Sequence, residues 1–205
     1  MRIKKGSIQI VLGVLLILSG ILLAVYNLRE EKEAEKASQE AVIQLDEIVT
    51  AEKEENVRDA ETEVLLPDYI LDPEMEMPTR LIDGWNYIGI LEIPDLNLYL
   101  PIIDEWSYPA LKIAPCRYEG TAYQKNMVIA AHNYQSHFAR LHELDVGAEI
   151  YFSDMDGNRF SYLLAEQEVL PPTAVEEMCS DDWPLTLFTC TIDGQNRVTM
   201  RCEEK

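Results

Sequence analysis

Two short runs in the last fifth of the sequence constrain the fold most. Leu185–Cys190 is apolar and β-branched, which predicts a strand. Arg197–Arg201 alternates polar with apolar side chains, which is the period of a second strand, and Asp193-Gly194 between the two runs is typical of a turn. An antiparallel return of this kind brings Cys190, at the end of one strand, and Arg197, near the start of the next, to one place.

A thiol and a guanidinium at one place suggest acyl-transfer chemistry. The thiolate is the reactive form of cysteine, and a nearby cation favours it. An arginine also stabilises the oxyanion that forms when a carbonyl is attacked. A proton carrier is needed as well, and His132 is the best candidate because it ends the apolar run 126–132, which also predicts a strand. From the residues alone, a thiol acyl-transfer site is predicted.

Four segments, in this order along the chain, resemble those of the sortase family. The segments are Tyr87–Pro94 with Leu100–Ile102, then Ala130–Asn133, then Thr186–Cys190 with its Thr-Leu-x-Thr-Cys pattern, then Arg197–Arg201. The resemblance covers roughly residues 85–203. It implies a mainly β fold, an eight-stranded barrel with short helices and with the active site at one rim.

The residues independently favour many short strands separated by turns, as in a barrel or a sandwich. Seven strands are predicted, and an eighth is expected within residues 114–123, where the pattern is weak. The predicted strands are Tyr87–Ile93, Leu98–Ile103, Met127–Ala131, Glu149–Phe152, Arg159–Leu170, Leu185–Cys190 and Arg197–Arg201. Helical turns are predicted at Tyr108–Ile113 and Ser136–Leu144.

The resemblance also implies a reaction and its catalytic residues. Cys190 is the expected nucleophile, His132 the proton carrier and Arg197 the residue that holds substrate and oxyanion. The implied reaction is that of a cysteine transpeptidase of Gram-positive bacteria. It cleaves a Leu-Pro-x-Thr-Gly-like sorting signal through a thioacyl intermediate and joins the surface protein to an amine of a cell-wall precursor or a pilin.

Other residues near these three have weaker predictions. Thr189 and Ala131 are expected to contact the substrate. His137 and His142 are interpreted as exposed polar residues, and Arg201 as a structural arginine. The loop of residues 171–183, with four acidic side chains, is expected to border the groove and to help select the sorting signal.

Charge and cysteine content exclude some classes of function. The chain has 37 acidic against 17 basic residues, a formal charge of −20, which argues against nucleic-acid binding and against adhesion of the soluble part to anionic lipid. Cys116, Cys179 and Cys202, like Cys190, show no metal-ligand spacing. Buried thiols are the simplest interpretation of these three, and disulfides stay open because the domain is expected outside the cell.

Residues 8–26 are almost wholly apolar and, as a helix, are long enough to cross a bilayer. The basic residues Arg2, Lys4 and Lys5 precede them, which predicts a single-pass anchor in the cell membrane with a cytoplasmic N-terminus and the catalytic part outside. A cleaved signal peptide is the alternative.

Three parts are therefore predicted: a cytoplasmic tip with membrane anchor (1–28), an acidic stalk with a proline-containing arm (29–82) and the catalytic barrel (83–205). An amphipathic helix is predicted in the stalk, because apolar residues recur there at helical spacing: Ala34, Ala37, Ala41, Leu45 and Ile48, with Val42 and Val49 beside them. Its charged side is interpreted as a solvated face, and a short self-associating coil as a weaker alternative. Asp72-Pro73 is followed by Glu74 where a lidded pilin polymerase usually has an aromatic residue, which argues against that class.

No cofactor is expected, although the acids near Glu119 and in the 171–183 loop leave calcium activation open. Two other functions compete with transpeptidation. One is a tethered barrel that serves as a non-catalytic adhesion or scaffold module, in which Cys190 is inert. The other is a cysteine peptidase that hydrolyses its substrate instead of transferring it.

Overall fold

The computed structural model describes residues 5–59 and 66–205, with side chains from residue 9 to 48 in the first range. Within these residues the fold is mainly β. The strands are β1 (Arg80–Ile82), β2 (Trp85–Ile93), β3 (Leu98–Ile103), β4 (Cys116–Glu119), β5 (Met127–Ala131), β6 (Glu149–Asp154), β7 (Arg159–Leu170), β8 (Leu185–Cys190) and β9 (Arg197–Glu204). The helices are α1 (Lys5–Asp59), α2 (Asp68–Leu71), α3 (Tyr108–Leu111) and α4 (Val175–Met178), with 3₁₀ turns at Pro94–Leu96 and Leu141–Glu143.

Eight of these strands close into a barrel in the order β2-β3-β4-β5-β8-β9-β7-β6, and β6 returns to pair with β2. The predicted eight-stranded barrel is thus confirmed. Gly89 lies where β2 meets both neighbours, and a Cβ added there would come within 2.3 Å of the Ser153 carbonyl oxygen. The barrel therefore closes where only a glycine allows the two backbones to approach.

The structure agrees with the predicted bounds of β3, β5, β7 and β8 and extends those of β2, β6 and β9 by a few residues. The weak eighth strand is β4, which falls inside the predicted window. Sequence reasoning missed β1, α2 and α4. Because β1 pairs with the start of β2, the sheet begins at Arg80, three residues before the boundary placed at 83.

The alternation of β8 and β9 divides their side chains between two faces. Leu185 and Leu187 point into the barrel core and are fully buried. Phe188, Cys190 and Arg197 lie on the other face of the same strands and are partly exposed. Strand period alone thus turns the reactive residues outward while the alternate residues fill the core.

Helix α1 has two unlike parts. Between Ile10 and Leu28 its large apolar side chains are exposed, from 41% at Val25 to 72% at Leu22. By length and composition this part is able to cross a membrane.

The following part of α1 packs on the barrel instead of standing free as a stalk. Three residues of the predicted apolar stripe, Ala34, Ala41 and Leu45, are at most 4% exposed, and the other two, Ala37 and Ile48, are partly exposed. The helix contacts β1 and β3. Ala41 and Leu45 belong to a cluster with Ile82 and Tyr87. The stripe therefore packs on the barrel of the same chain, and the sequence pattern did not identify this partner.

The described arm after residue 65 lies away from the site. Tyr69 stacks on Tyr123 with ring centroids 4.7 Å apart and lies 5.3 Å from the ring of Phe160. Tyr123 precedes β5 and Phe160 is near the start of β7, whereas the site residues follow the end of β5 and pair with the end of β7. This part of the arm is held against the barrel by aromatic contacts.

Candidate active site

Strand register brings the three predicted catalytic residues together. Cys190 pairs directly with Arg197 across β8 and β9. Ala131 pairs with Thr189 across β5 and β8, so His132, the next residue, is level with Cys190. Residues separated by up to 65 positions along the chain thus meet at adjacent strand ends.

His132, Cys190 and Arg197 line one cleft of about 220 Å³ together with Ala131. Cys190 is partly exposed there. The cleft is open to solvent on one side and lined mainly by apolar and aromatic groups, a composition suited to an extended peptide with apolar side chains. The arrangement provides a thiol, an imidazole and a guanidinium around one bound chain.

The other three cysteines differ from Cys190 in their surroundings. All four are unpaired thiols. Burial raises the pKa of Cys116 and of Cys179 to about 12 and that of Cys202 in the same direction. Because the thiolate is the nucleophile, the raised pKa makes each of these three a poorer nucleophile at neutral pH than an ordinary cysteine.

His132 lies partly buried beside two charges that sequence reasoning missed. Burial lowers its pKa, the ammonium of Lys112 acts in the same direction, and the carboxylate of Glu30 opposes them. Lys112 and Glu30 form an ion pair with an N–O distance of 2.6 Å. Tyr134 packs against the imidazole at a ring separation of 5.0 Å. The imidazole is therefore mainly neutral at neutral pH and able to accept a proton.

Arg197 turns part of its guanidinium toward its own turn. Its Nη1 donates to the carbonyl oxygen of Asn196 at 3.0 Å and to that of Gly194 at 3.5 Å. The residue is partly exposed and faces the cleft. The turn between β8 and β9 thus holds the guanidinium at the cleft that Cys190 also lines.

Thr189 and Ala131 are joined to each other. The Thr189 hydroxyl donates to the carbonyl oxygen of Ala131 at 2.9 Å, and Thr189 is 3% exposed on the strand face opposite Cys190. This bond joins β8 to β5 directly before Cys190 and His132, the next residue of each strand end. Ala131 lines the cleft, whereas a direct contact of Thr189 with substrate stays a prediction.

Arg201 is buried and structural, as predicted. It is 2% exposed, and its Nε donates to Glu168 at 2.6 Å. Its Nη1 donates to the Met178 carbonyl and the Thr186 hydroxyl, both at 3.0 Å, and its Nη2 to the Glu177 carbonyl at 2.6 Å. Since Met178 lines the cleft, Arg201 anchors one cleft wall from within.

The prediction for His137 was wrong. The residue is fully buried, and neither ring nitrogen has a hydrogen-bond partner among the described residues. The loop after His132 folds back, with the amide of Phe138 pointing to the His132 carbonyl at 3.5 Å, and this turns His137 inward. Its ring packs on Tyr134 at 5.5 Å. His142 is exposed, as predicted.

An aromatic wall forms one side of the cleft, and sequence reasoning did not single it out. Phe188 meets Tyr118 edge to face at 5.3 Å, and Tyr118 lies 5.3 Å from Trp106. All three line the cleft. Strand period was a usable signal for Phe188, which is two residues from Cys190 and so shares its face; Trp106 and Tyr118 become neighbours only in the folded barrel.

The loop of residues 171–183 forms the adjoining part of the wall, because Ala174 packs on the same small cluster as Tyr118 and Phe188. Pro171, Pro172, Ala174 and Val175 line the cleft. Four of its residues form α4, which the sequence did not predict. Its acidic side chains Glu176 and Glu177 are exposed and are not among the lining groups, so the cleft side of the loop is apolar.

Metal binding was left open at the sequence level. Among the described side chains, those of residues 9–48 and 66–205, no three from His, Cys, Asp or Glu are close enough to hold an ion together. The expectation of no cofactor, with calcium activation left open, stays a prediction, and activity measured with and without calcium tests it.

Comparison with known proteins gives one consistent family. A family model of the sortase domain matches residues 91–205, more than half of the chain. A sortase D5 transpeptidase of Clostridium perfringens is similar at a TM-score of 0.58 and 19% identity, over 85% of this chain and 99% of that one. Sortase C of the same organism, solved with the C-terminal cell wall sorting motif, is similar at 0.52 and 26%, over 81% and 90%. No curated protein matches the chain closely enough to count as a relative.

Proposed function

The chain belongs to the sortase family, and on that premise we propose that it is a membrane-anchored cysteine transpeptidase. It cleaves a sorting signal of Leu-Pro-x-Thr-Gly type and joins the released carboxyl end to an amine. The observation that carries this proposal is the single cleft lined by Cys190, His132 and Arg197. The apolar part of α1 serves as the anchor, with the N-terminus in the cytoplasm and the barrel outside.

The first half of the reaction forms a thioacyl enzyme. The sulfur of Cys190 attacks the carbonyl carbon of the signal's threonine as its proton passes to the neutral imidazole of His132. Arg197 donates to the oxyanion that forms. The C–N bond to glycine then breaks, and the leaving amine takes the proton back from His132.

The second half transfers the acyl group. An incoming amine attacks the thioester carbonyl, His132 accepts the proton that the amine loses, and the C–S bond breaks. The Cys190 thiolate leaves and recovers its proton from His132. The amine is supplied by a cell-wall precursor or by a pilin lysine, and no cofactor takes part. The similar sortase C that was solved with a cell wall sorting motif supports this substrate class.

Each wall of the cleft has a part in binding the signal. The aromatic wall and the apolar side of the 171–183 loop bury the leucine and proline side chains, which are apolar and partly rigid. Ala131 is also among the residues that line the cleft, and we propose that the bound signal passes over it. The loop is thus the element that selects among related signals.

A panel of sorting-signal peptides, assayed with and without triglycine, tests this function. We expect cleavage by the wild-type chain, a triglycine-ligated product, and neither with Cys190→Ala. Cleavage that yields only the hydrolysed acid would favour a peptidase. Absence of cleavage, together with no labelling of Cys190 by a thiol-reactive probe, would favour a non-catalytic barrel.

A further inference from the structure

The apolar part of α1 ends very close to the catalytic histidine. The apolar run of residues 8–26 stops four residues before Glu30, which is about 6 Å along a helix axis. Helix α1 is continuous from Lys5 to Asp59, and its sequence has no glycine or proline after Gly20. The usual causes of a sharp kink are therefore missing, and the helix acts as a rigid connection.

The next turns of α1 are fixed to the barrel at both ends. At the near end, Glu30 pairs with Lys112, and the Gln135 amide, three residues after His132, donates to Glu31 at 2.7 Å. At the far end, the Tyr99 hydroxyl donates to Asp46 at 3.3 Å. The buried stripe joins the two: Ala34, Ser38, Ala41 and Leu45. These contacts determine the direction in which the helix leaves the domain.

The position of Glu30 and Glu31 sets the height of the cleft above a bilayer. The polar headgroup layer is about 5–8 Å thick on each side of the hydrocarbon core. With residues 8–26 in that core, Glu30 and Glu31 lie within the headgroup layer. In the loop after His132 the Gln135 amide donates to Glu31, and His132 is close enough to the ion pair for both of its charges to act on the imidazole, so the loop lies at nearly the same depth.

Charge opposes this placement, which makes the docking contacts necessary. Residues 66–205 carry 24 acidic and nine basic side chains, a formal charge of −15. An anionic lipid surface repels such a domain. A barrel joined to its anchor by a flexible segment would therefore stand away from the membrane.

We propose that the docked segment Glu30–Ile48 holds the cleft at the headgroup layer, so that the enzyme selects polypeptides whose scissile bond lies a few residues from a bilayer. An extended residue spans about 3.3–3.6 Å, so about three or four residues cross the headgroup layer. The inference rests on the proposed transpeptidation and on the membrane span of residues 8–26. It adds a constraint on the substrate: the distance of the bond from the lipid.

Separating the anchor from the docked segment tests the proposal. The full chain is placed in vesicles of phosphatidylcholine with phosphatidylglycerol, and an insert of about eight Gly and Ser residues, which spans roughly 16 Å as a random coil, is added after Arg29. The matched control has the same insert after Asp59, on the other side of the docking contacts. Both variants keep every described contact between α1 and the barrel.

Three forms of a Leu-Pro-x-Thr-Gly peptide are compared. One is soluble, and two are joined to a lipid through spacers of about four and about twenty residues. We expect the insert after Arg29 to lower the rate on the short spacer about tenfold and to change the other two rates less than about twofold. The insert after Asp59 should change none of the three, because the docked helix still fixes the height.

A second pair of variants acts on the docking itself. Leu45→Glu places a charge at a fully buried position, whereas Ile43→Glu places it two residues away at a side chain that is 59% exposed. We expect Leu45→Glu, but not Ile43→Glu, to reduce the short-spacer rate relative to the soluble-peptide rate. The soluble peptide also reports whether the barrel is still folded.

The outcomes separate the two proposals. Equal short-spacer rates in the wild type and in the variant with the insert after Arg29, alongside normal cleavage of the soluble peptide, would overturn the positioning role and leave transpeptidation intact. An equal loss with both inserts would show that α1 does not stay docked and would overturn it as well. Failure of the wild type on all three peptides would overturn the proposed function and this inference with it.

Discussion

The rim of the cleft and the buried part of the domain contain the same three kinds of reactive side chain. At the rim these are Cys190, His132 and Arg197, and in the interior Cys202, His137 and Arg201. The interior arginine makes four hydrogen bonds to protein groups, whereas the hydrogen bonds of the rim arginine to the described residues go to two carbonyls of its own turn. Residue type therefore does not identify the site; solvent access and the remaining hydrogen-bonding capacity do.

The physical reason is that an ionised side chain loses favourable hydration free energy when it is buried. Burial raises the pKa of the Cys202 thiol and lowers that of the His137 imidazole to about 4, so both are held neutral. For the interior arginine, Glu168 and three further oxygen acceptors supply the hydrogen bonds that water would otherwise make. At the rim, solvent and a bound peptide provide these hydrogen bonds instead. The comparison predicts opposite effects for the same substitution in the two regions.

The cysteine pair should show the largest difference. Cys190→Ala removes the nucleophile, and we expect transpeptidation to fall at least about 10⁴-fold. Cys202→Ala leaves the cleft unchanged, so its kcat/KM should stay within about threefold while the lost buried sulfur lowers the free energy of unfolding by about 1 kcal/mol. Peptide assays and urea unfolding measure the two effects. If Cys190→Ala kept its activity, Cys190 would not be the nucleophile, and the rim cysteine would not differ from the interior one in function.

The rim arginine is expected to matter for rate and little for stability. Arg197→Ala removes a donor to the oxyanion, which should lower kcat about 10²–10³-fold. Because the side chain is partly exposed, the free energy of unfolding should change by less than about 0.5 kcal/mol. Steady-state kinetics with urea unfolding checks both. If the kcat of Arg197→Ala equalled that of the wild type, a group other than Arg197 would stabilise the oxyanion.

The interior arginine should behave in the opposite way. Arg201→Met leaves Glu168 and two loop carbonyls without their donor, and we expect the free energy of unfolding to fall by about 2–4 kcal/mol, less than for a fully buried pair because Glu168 is partly exposed. Where the protein stays folded, a looser cleft wall should raise KM more than it lowers kcat. A fall in kcat equal to that of Arg197→Ala, at full stability, would contradict the structural role.

The buried histidine predicts a pH effect on stability. The pKa of His137 is about 4 in the folded chain and near 6.5 when unfolded, so between these values the unfolded state alone binds the proton. The free energy of unfolding therefore falls as pH falls through this window. From pH 7 to pH 4.5, His137→Leu should lose about 2–3 kcal/mol less than the wild type. Equal losses in urea titrations would indicate that His137 is hydrated or paired.

The smallest effect concerns selection by the cleft wall. Val175 lines the cleft and is 48% exposed, whereas Val169 on β7 is 60% exposed and does not line it. Val175→Ala should change the preference for leucine over alanine at the first position of the signal by about threefold. Val169→Ala is the control and should leave the preference unchanged. If Val175→Ala and Val169→Ala changed the preference equally, the 171–183 loop would not be the element that selects the first residue of the signal.

Much of this arrangement was predictable from local pattern. The runs that became β5, β8 and β9 have a clear strand period, and the turn at Asp193-Gly194 determines that Cys190 meets Arg197. The parallel pairing of β5 with β8, which brings His132 to the same level, is not local, and the sequence did not predict it; His132 was chosen for its place at a strand end and for the resemblance to the family.

The remaining features depend on tertiary contacts. The stripe of Ala34, Ala41 and Leu45 has the same pattern whether it meets another helix or a barrel, so its docking was not predictable. His137 is buried because its loop folds back on His132, a contact between backbone groups that no side-chain pattern encodes. The strand β1 has only three residues, too few for a period to appear.

Mass spectrometry of the enzyme during turnover tests the central claim most directly. The wild-type chain is mixed with a Leu-Pro-x-Thr-Gly peptide without an amine acceptor, quenched in acid and digested. The account predicts a thioester-linked acyl group, ending at the signal's threonine, on the fragment that contains Cys190, and its loss when triglycine is added. Peptide cleavage with no acyl group on Cys190, or an acyl group on another residue, would contradict it.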